Sequence, residues 1–297
     1  MGMKKVLFTG AGVAIVTPFG EYGEVNYDLL EILIDYQIKN GTDAIIICGT
    51  TGEGSTLTHE EHTETIKFAA DYVAGRVPVI AGTGSNDTSY AVKLSNEAEA
   101  AGVDGLLIVT PYYNKTSQEG LIAHYNFIAD RVSTPIITYN VPSRTGLNIK
   151  PETYFELSKN PKIVGAKEAN GDISALAKSI SLCGDELAFY SGNDDQITAF
   201  MSLGAKGVIS VLSNLVPRET HDMVVKYLEG DTLGSAYLQL HFLDLCNDLF
   251  IDVNPIPCKE AMVMMGWPVG ECRMPLVGLS ESNRAKLQAT LKRHKLI

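Results

Sequence analysis

The chain has 297 residues, 45% of them hydrophobic and 20% charged, which is enough apolar material for one large α/β domain or two smaller ones. Its 24 basic side chains face 35 acidic ones, a formal net charge of −11, so the molecule as a whole repels nucleic acid and anionic membrane. No apolar run reaches the ~18 residues of a membrane span, and the opening Met1-Gly2-Met3-Lys4-Lys5-Val6-Leu7-Phe8-Thr9-Gly10 has too short an apolar run for a signal peptide. The cysteines are Cys48, Cys183, Cys246, Cys258 and Cys272. Their number is odd and no Cys-x-x-Cys occurs, which argues against a disulfide framework and a zinc–thiolate centre. The expectation is a soluble cytoplasmic protein with buried, reduced thiols.

Short apolar runs then alternate with longer amphipathic ones. Residues 13–17 read as a strand, and 26–39 as a helix with Leu29, Leu30, Leu33, Ile34 and Ile38 near one stripe. Residues 44–48 are wholly apolar, the mark of a strand buried on both faces. Thr58, with Glu61 three residues on, forms a capping box for a helix over 59–73. Strands at 77–82, 105–109, 135–140, 163–168, 188–191 and 207–211 alternate with helices at 89–101, 118–131, 151–158, 173–183 and 194–203. Gly41, Gly75, Gly102, Gly184 and Gly204 fall where helices should stop. Eight such units predict an α/β fold of the (β/α)8 barrel type. An open doubly wound sheet would want a glycine fingerprint at its first turn, and Gly10-Ala11-Gly12-Val13-Ala14-Ile15 lacks the third glycine and leads into a strand. The remainder reads as helices, at 231–250, 255–265 and 280–294. The expected organisation is a catalytic barrel over 1–212 and a C-terminal helical region over 213–297 that includes the last barrel helix. The closing Lys292-Arg293-His294-Lys295 suits the negative end of a helix.

In a barrel, reactive groups sit where strands end, and the notable residues cluster there. Gly49-Thr50-Thr51-Gly52-Glu53-Gly54 follows the second strand. Its glycines let backbone N–H groups approach an anion and its hydroxyls add donors, although a plain tight turn would look the same. No lysine follows Gly54, so it is not a P-loop. Thr110-Pro111-Tyr112-Tyr113-Asn114 puts two phenols after the fourth strand, in the cavity or equally at an interface. Tyr139-Asn140-Val141-Pro142-Ser143-Arg144-Thr145-Gly146 closes the fifth, and Arg144 offers a planar fork for a carboxylate, or else an exposed side chain on a proline turn. Lys167 ends the sixth strand after Ile163-Val164-Gly165-Ala166. Burial there disfavours an ammonium and leaves amine able to attack a carbonyl, while a salt bridge to Glu168 or another carboxylate is an equal alternative. Asn193 or Asp194, in Ser191-Gly192-Asn193-Asp194-Asp195, reads as a cap for the next helix, and Ile209 and Ser210 close the eighth strand. His59-Glu60-Glu61-His62 has its second histidine at i+3 rather than the i+4 of a zinc-protease helix, and Asp43, Asp104 and Glu53 are too scattered for a metal site.

Taken together, the motifs at 49–53, 110–113, 139–146 and 165–168 resemble the dihydrodipicolinate synthase family, within the N-acetylneuraminate lyase-type class I aldolases, in order and spacing along nearly the whole chain. The resemblance implies a lyase in lysine and diaminopimelate biosynthesis. Lys167 would form an imine with pyruvate, whose carboxylate sits on Thr50 and Thr51. The derived enamine would attack aspartate semialdehyde, and cyclisation would release 4-hydroxy-tetrahydrodipicolinate. Tyr139 would shuttle protons in a relay with Thr50 and Tyr113, the latter supplied by a neighbouring subunit. Arg144 would meet the semialdehyde carboxylate, and the backbone at Gly192 and Ile209 would line the pocket. No metal or organic cofactor is implied, and the assembly would be a homotetramer built as a dimer of dimers. Thr51 and Arg144 favour the synthase branch over another pyruvate-dependent aldolase, and Lys167 with Tyr139, Thr50 and Tyr113 argues against a silent keto-acid-binding barrel. His59, Asn86 and Tyr112 match positions that bind inhibitory lysine in some members. Gly54 replaces a common serine or alanine, and Tyr90 stands where inhibited members carry a glutamate. Initial rates in millimolar L-lysine are therefore expected to show weak inhibition or none.

Overall fold

The computed structural model describes residues 4–297; Met1–Met3, which open the stretch read as too short for a signal peptide, lie outside the described residues. Eight parallel strands close into a barrel in chain order: β1 (Gly10–Ala14), β2 (Ala44–Ile47), β3 (Val79–Gly82), β4 (Gly105–Val109), β5 (Ile136–Asn140), β6 (Ile163–Glu168), β7 (Ala188–Ser191) and β8 (Gly207–Ser210). The helices around and after them are α1 (Tyr27–Lys39), α2 (His59–Val73), α3 (Thr88–Ala100), α4 (Gln118–Ala129), α5 (Pro142–Thr145), α6 (Pro151–Ser158), α7 (Ile173–Cys183), α8 (Ile197–Ser202), α9 (Pro217–Leu228), α10 (Thr232–His241), α11 (Leu243–Asp248), α12 (Ile256–Met264) and α13 (Glu281–Arg293). The capping box at Thr58 and Glu61 forms with both of its hydrogen bonds. Among the described residues no helix is long and apolar enough to cross a membrane.

Ring closure depends on small residues where β8 returns to β1. Gly207 pairs with Gly10 and has φ +153, and a Cβ on Gly207 would lie 1.8 Å from the Gly10 carbonyl oxygen. Only glycine permits that approach. Inside the ring, Leu7, Phe8, Ile46, Ile80, Ile137, Val164, Tyr190 and Ile209 pack as one apolar plug. Tyr190 stacks on Phe8 with ring centroids 4.4 Å apart and donates its hydroxyl to the Phe8 carbonyl at 2.7 Å. Phe8 precedes β1, so the plug fills the barrel from its N-terminal mouth. The outer faces of the strands meet the helices in a second, larger core.

Several elements differ from expectation. The first strand occupies 10–14 rather than 13–17, because the Gly10-Ala11-Gly12 stretch is itself the strand. A Cβ on Gly12 would come within 2.6 Å of Ile46 Cδ1 and 2.9 Å of the Phe8 ring, so the glycine is a packing requirement rather than a break. The helical run over 231–250 breaks at Phe242 into α10 and α11. The segment from Asp194 opens as one 3-10 turn, Asp194–Gln196, before α8. The proline turn at 142 is the one-turn helix α5.

Candidate active site

A cavity of about 680 Å³ opens at the C-terminal ends of the strands, lined by Thr50, Thr51, Tyr139, Arg144, Lys167 and Gly192 among others. Alternation along β5 and β6 places its two central groups. The strands pair in the register Tyr139↔Lys167 and Asn140↔Glu168. Tyr139 and Lys167 face the cavity, while Asn140 and Glu168 turn to the helix side. Lys167 is 5% exposed, and its Nζ stands 4.3 Å from the centroid of the Tyr139 ring.

Glu168 is not the partner of Lys167. Its carboxylate accepts from Asn140 Nδ2 at 2.9 and 3.0 Å, from the Tyr154 hydroxyl at 2.8 Å and from the Asn170 amide at 2.8 Å. Burial pushes its carboxyl up to about 7, against the pull of these donors. Among the described residues Lys167 has no ion pair, so the salt-bridge alternative falls.

The turn after β2 is built on positive φ at Cys48 (55°) and Glu53 (53°), and a Cβ on Gly54 would lie 2.3 Å from the Cys48 carbonyl oxygen. The turn is held from outside the barrel. The buried Glu53 carboxylate accepts from Lys259 Nζ of α12 at 2.9 Å and from the Arg273 amide at 2.8 Å. Asn254 joins two halves of the cavity: its Nδ2 donates to the Thr51 hydroxyl at 3.0 Å, and its carbonyl accepts from Arg144 Nη2 at 2.9 Å. Asn254 Oδ1 is buried without a partner among the described atoms, and the residue lines the cavity. Sequence reasoning missed Asn254, Glu53 and Lys259. The one available signal was Lys259 itself, a lysine set in the apolar run Ile256-Pro257-Cys258 and now 2% exposed.

Gly192 lies against the lysine: a Cβ there would meet Ala169 Cβ at 2.7 Å and Lys167 Cε at 3.2 Å. The Ile209 side chain is fully buried in the plug below, and Val211 lines the cavity. Neither Asn193 nor Asp194 caps the following helix. Asn193 makes no side-chain cap, and the buried Asp194 carboxylate accepts from the amides of Val211 (3.0 Å) and Leu212 (2.9 Å), tying the β7 turn to the end of β8. Tyr113 is 90% exposed, with φ 68°, and does not line the cavity of its own chain. A smaller cavity of about 370 Å³ adjoins the first and shares Thr50, Tyr139 and Arg144 with it. Tyr112, Tyr90 and His62 also line it. His59 sits beside it, its Nδ1 3.3 Å from the Tyr90 hydroxyl and its Nε2 3.4 Å from Glu97, while the Asn86 carbonyl accepts from Asn114 Nδ2 at 2.9 Å. Asp43 and Asp104 serve elsewhere, accepting from the backbone amides of Ala11 and Val79. In the larger groove of about 840 Å³ between Phe19 and Arg284, Lys259 and Arg273 are already bonded to Glu53, Glu61 and backbone carbonyls, and Arg284 pairs with Glu260 at 3.4 Å.

Residues 7–294 match the sequence model of the Dihydrodipicolinate synthetase family. A curated relative, the 4-hydroxy-tetrahydrodipicolinate synthase of Lachnoclostridium phytofermentans, is 56% identical over 292 residues, covering 98% of this chain and 99% of that one. Among solved structures, dihydrodipicolinate synthase from Aquifex aeolicus superposes with a TM-score of 0.95 at 45% identity, covering 97% of this chain and 99% of that one. The enzyme from Cyanidioschyzon merolae, solved with lysine bound, gives a TM-score of 0.95 at 38% identity, with 99% and 100% covered. The chain belongs to the dihydrodipicolinate synthetase family.

Proposed function

We propose that this chain condenses pyruvate with L-aspartate 4-semialdehyde through an imine on Lys167, giving 4-hydroxy-tetrahydrodipicolinate for lysine and diaminopimelate biosynthesis. The observation that carries the reading is one buried, unpaired amine over the face of Tyr139 at the mouth of the barrel. The Lys167 amine adds to C2 of pyruvate, and the carbonyl oxygen leaves as water. The methyl group then loses a proton to give the enamine. That carbon attacks the aldehyde, and the adduct's own amine displaces Lys167 as the ring closes. Tyr139, with Thr50, moves the protons without a charged base. Thr50, Thr51 and the backbone of their turn hold the pyruvate carboxylate, and the Arg144 fork takes that of the semialdehyde. Gly192 leaves room beside the imine. No cofactor enters these steps.

The relay needs a second phenol, and in this reading Tyr113 reaches the site from a second copy, as its exposure allows. Sharing Tyr113 calls for at least a dimer, and the family resemblance points to a homotetramer of two tight dimers. The exposed Leu233, Tyr237 and Leu240, spaced along one face of α10, suit a further contact between copies. Residues 1–212 act as the catalytic barrel, and the chain works in the cytoplasm, where its five free cysteines stay reduced. Borohydride reduction after incubation with pyruvate, read by peptide mass, tests the chemistry. An adduct on Lys167, absent from Lys167→Ala, together with turnover in an assay supplying both substrates, is the expected outcome. No adduct would mean a silent binder, and an adduct without turnover of the semialdehyde would mean another aldolase.

A further inference from the structure

We propose that Glu168 is a positioning residue. Gripped on the outer side of the barrel wall by Asn140, Tyr154 and the Asn170 amide, its carboxylate holds β5 and β6 in the register that sets the Lys167 amine over the Tyr139 ring. The proposal rests on the imine chemistry argued above and deepens it.

The geometry is specific. Each member of the reactive pair has its chain neighbour on the opposite face, and those neighbours, Asn140 and Glu168, are themselves register partners. A bond between the neighbours therefore fixes the offset of the pair inside. The Asn140 side chain has only one workable orientation: its Oδ1 accepts from the Ile149 amide at 3.1 Å, so its Nδ2 must face Glu168 and Asn148 Oδ1, the latter at 2.7 Å. The Ala169 amide extends the strand pairing by donating to the Asn140 carbonyl at 2.9 Å. Tyr154, itself fully buried, brings α6 into the same grip.

The shell around Glu168 consists of donors only: an amide NH2, a phenol and a backbone N–H. Such a shell fits an anion. A proton on either oxygen would face a donor and cost one of the contacts. No cation pairs with Glu168 among the described residues. The titratable groups packed around it are Tyr154 of α6 and Tyr125 of α4; Cys183 of α7 faces Tyr154 in turn, and Lys167 is next along its own strand on the other face. Desolvation is the largest influence and holds the carboxyl near 7, so the grip passes from loosened to complete as pH rises through neutrality.

The test is the rate of imine formation with pyruvate, trapped by borohydride, across pH 5–9 in the full-length protein, its Glu168→Gln variant and its Tyr154→Phe variant. The wild-type rate should rise through an inflection near 7. Glu168→Gln presents an NH2 to the donor shell, so it should lose that inflection, with the rate lowered roughly ten- to a hundredfold. Tyr154→Phe keeps the carboxylate but removes a donor from its anion, so it should move the inflection to higher pH. That shift is something a merely structural tyrosine would not produce, and it remains readable if the glutamine variant fails to fold. An inflection that persists in Glu168→Gln, or stays in place or moves down in Tyr154→Phe, overturns the proposal. A wild-type protein that forms no adduct on Lys167 at any pH instead overturns the imine reading itself.

Discussion

Arg144 is anchored at one corner and free at the others. Of its five N–H donors, one on Nη2 is engaged by the Asn254 carbonyl at 2.9 Å, which aims the planar fork into the cavity. A charge-assisted hydrogen bond contributes roughly 1.5–3 kcal/mol. Arg144→Ala should therefore lower kcat/KM for aspartate semialdehyde by roughly tenfold to a hundredfold and change trapping of pyruvate far less. Initial rates with each substrate varied in turn read the difference, and equal losses for both would remove Arg144 from the acceptor side. At this scale the place of Lys167 and Tyr139 on the cavity was legible because each closes a strand, and that of Thr50 because it sits in the turn that follows one. Depth is a separate matter: the Ile209 side chain lies in the plug, and Val211 lines the cavity. Asn254 and Glu53 were illegible for another reason: their partners stand about two hundred residues away in the chain, and no local pattern encodes which distant loop folds back.

The elements themselves were legible because buried strands and amphipathic helices differ in period and length. The exceptions are informative. Glycines disguised β1, since they are required there by the packing of Ile46 and Phe8 rather than by a turn. The C-terminal helices offered one hint of a role, Lys259 in an apolar run, and α12 does carry the lysine that holds the Thr50–Thr51 turn in place. Lys259 and Glu53 form an ion pair with both side chains almost wholly buried. Removing one member of such a pair leaves an uncompensated charge, at a cost of about 3–5 kcal/mol. Lys259→Met should lower stability by that order in chemical denaturation. Adding Glu53→Gln to it should recover a large part, because the stranded anion is gone. A double variant no more stable than the single one would show that packing of the stem, rather than charge, is what α12 contributes.

Over the whole molecule, the closed ring and its surrounding helices were expected from eight repeats of one pattern, and the family resemblance ran along almost the full chain. What one chain cannot show is a complete relay, because Tyr113 projects outward at 90% exposure. If a second copy receives it, two defective chains can mend each other. A mixed pair of Tyr113→Phe and Lys167→Ala subunits contains one site with an intact lysine and an intact phenol. Co-expression should then yield clearly more activity than either variant alone. No gain on mixing would mean that each site works with its own residues only.

The tether on the Thr50–Thr51 turn also sets an order in time. Asn254, Lys259 and Arg273 all follow the last barrel strand, so they are synthesised after all eight strands of the ring. A nascent chain can therefore carry Lys167 on a finished β6 while the Thr50–Thr51 turn is still unlatched. The latch on that turn is therefore completed later than the strand that carries the amine.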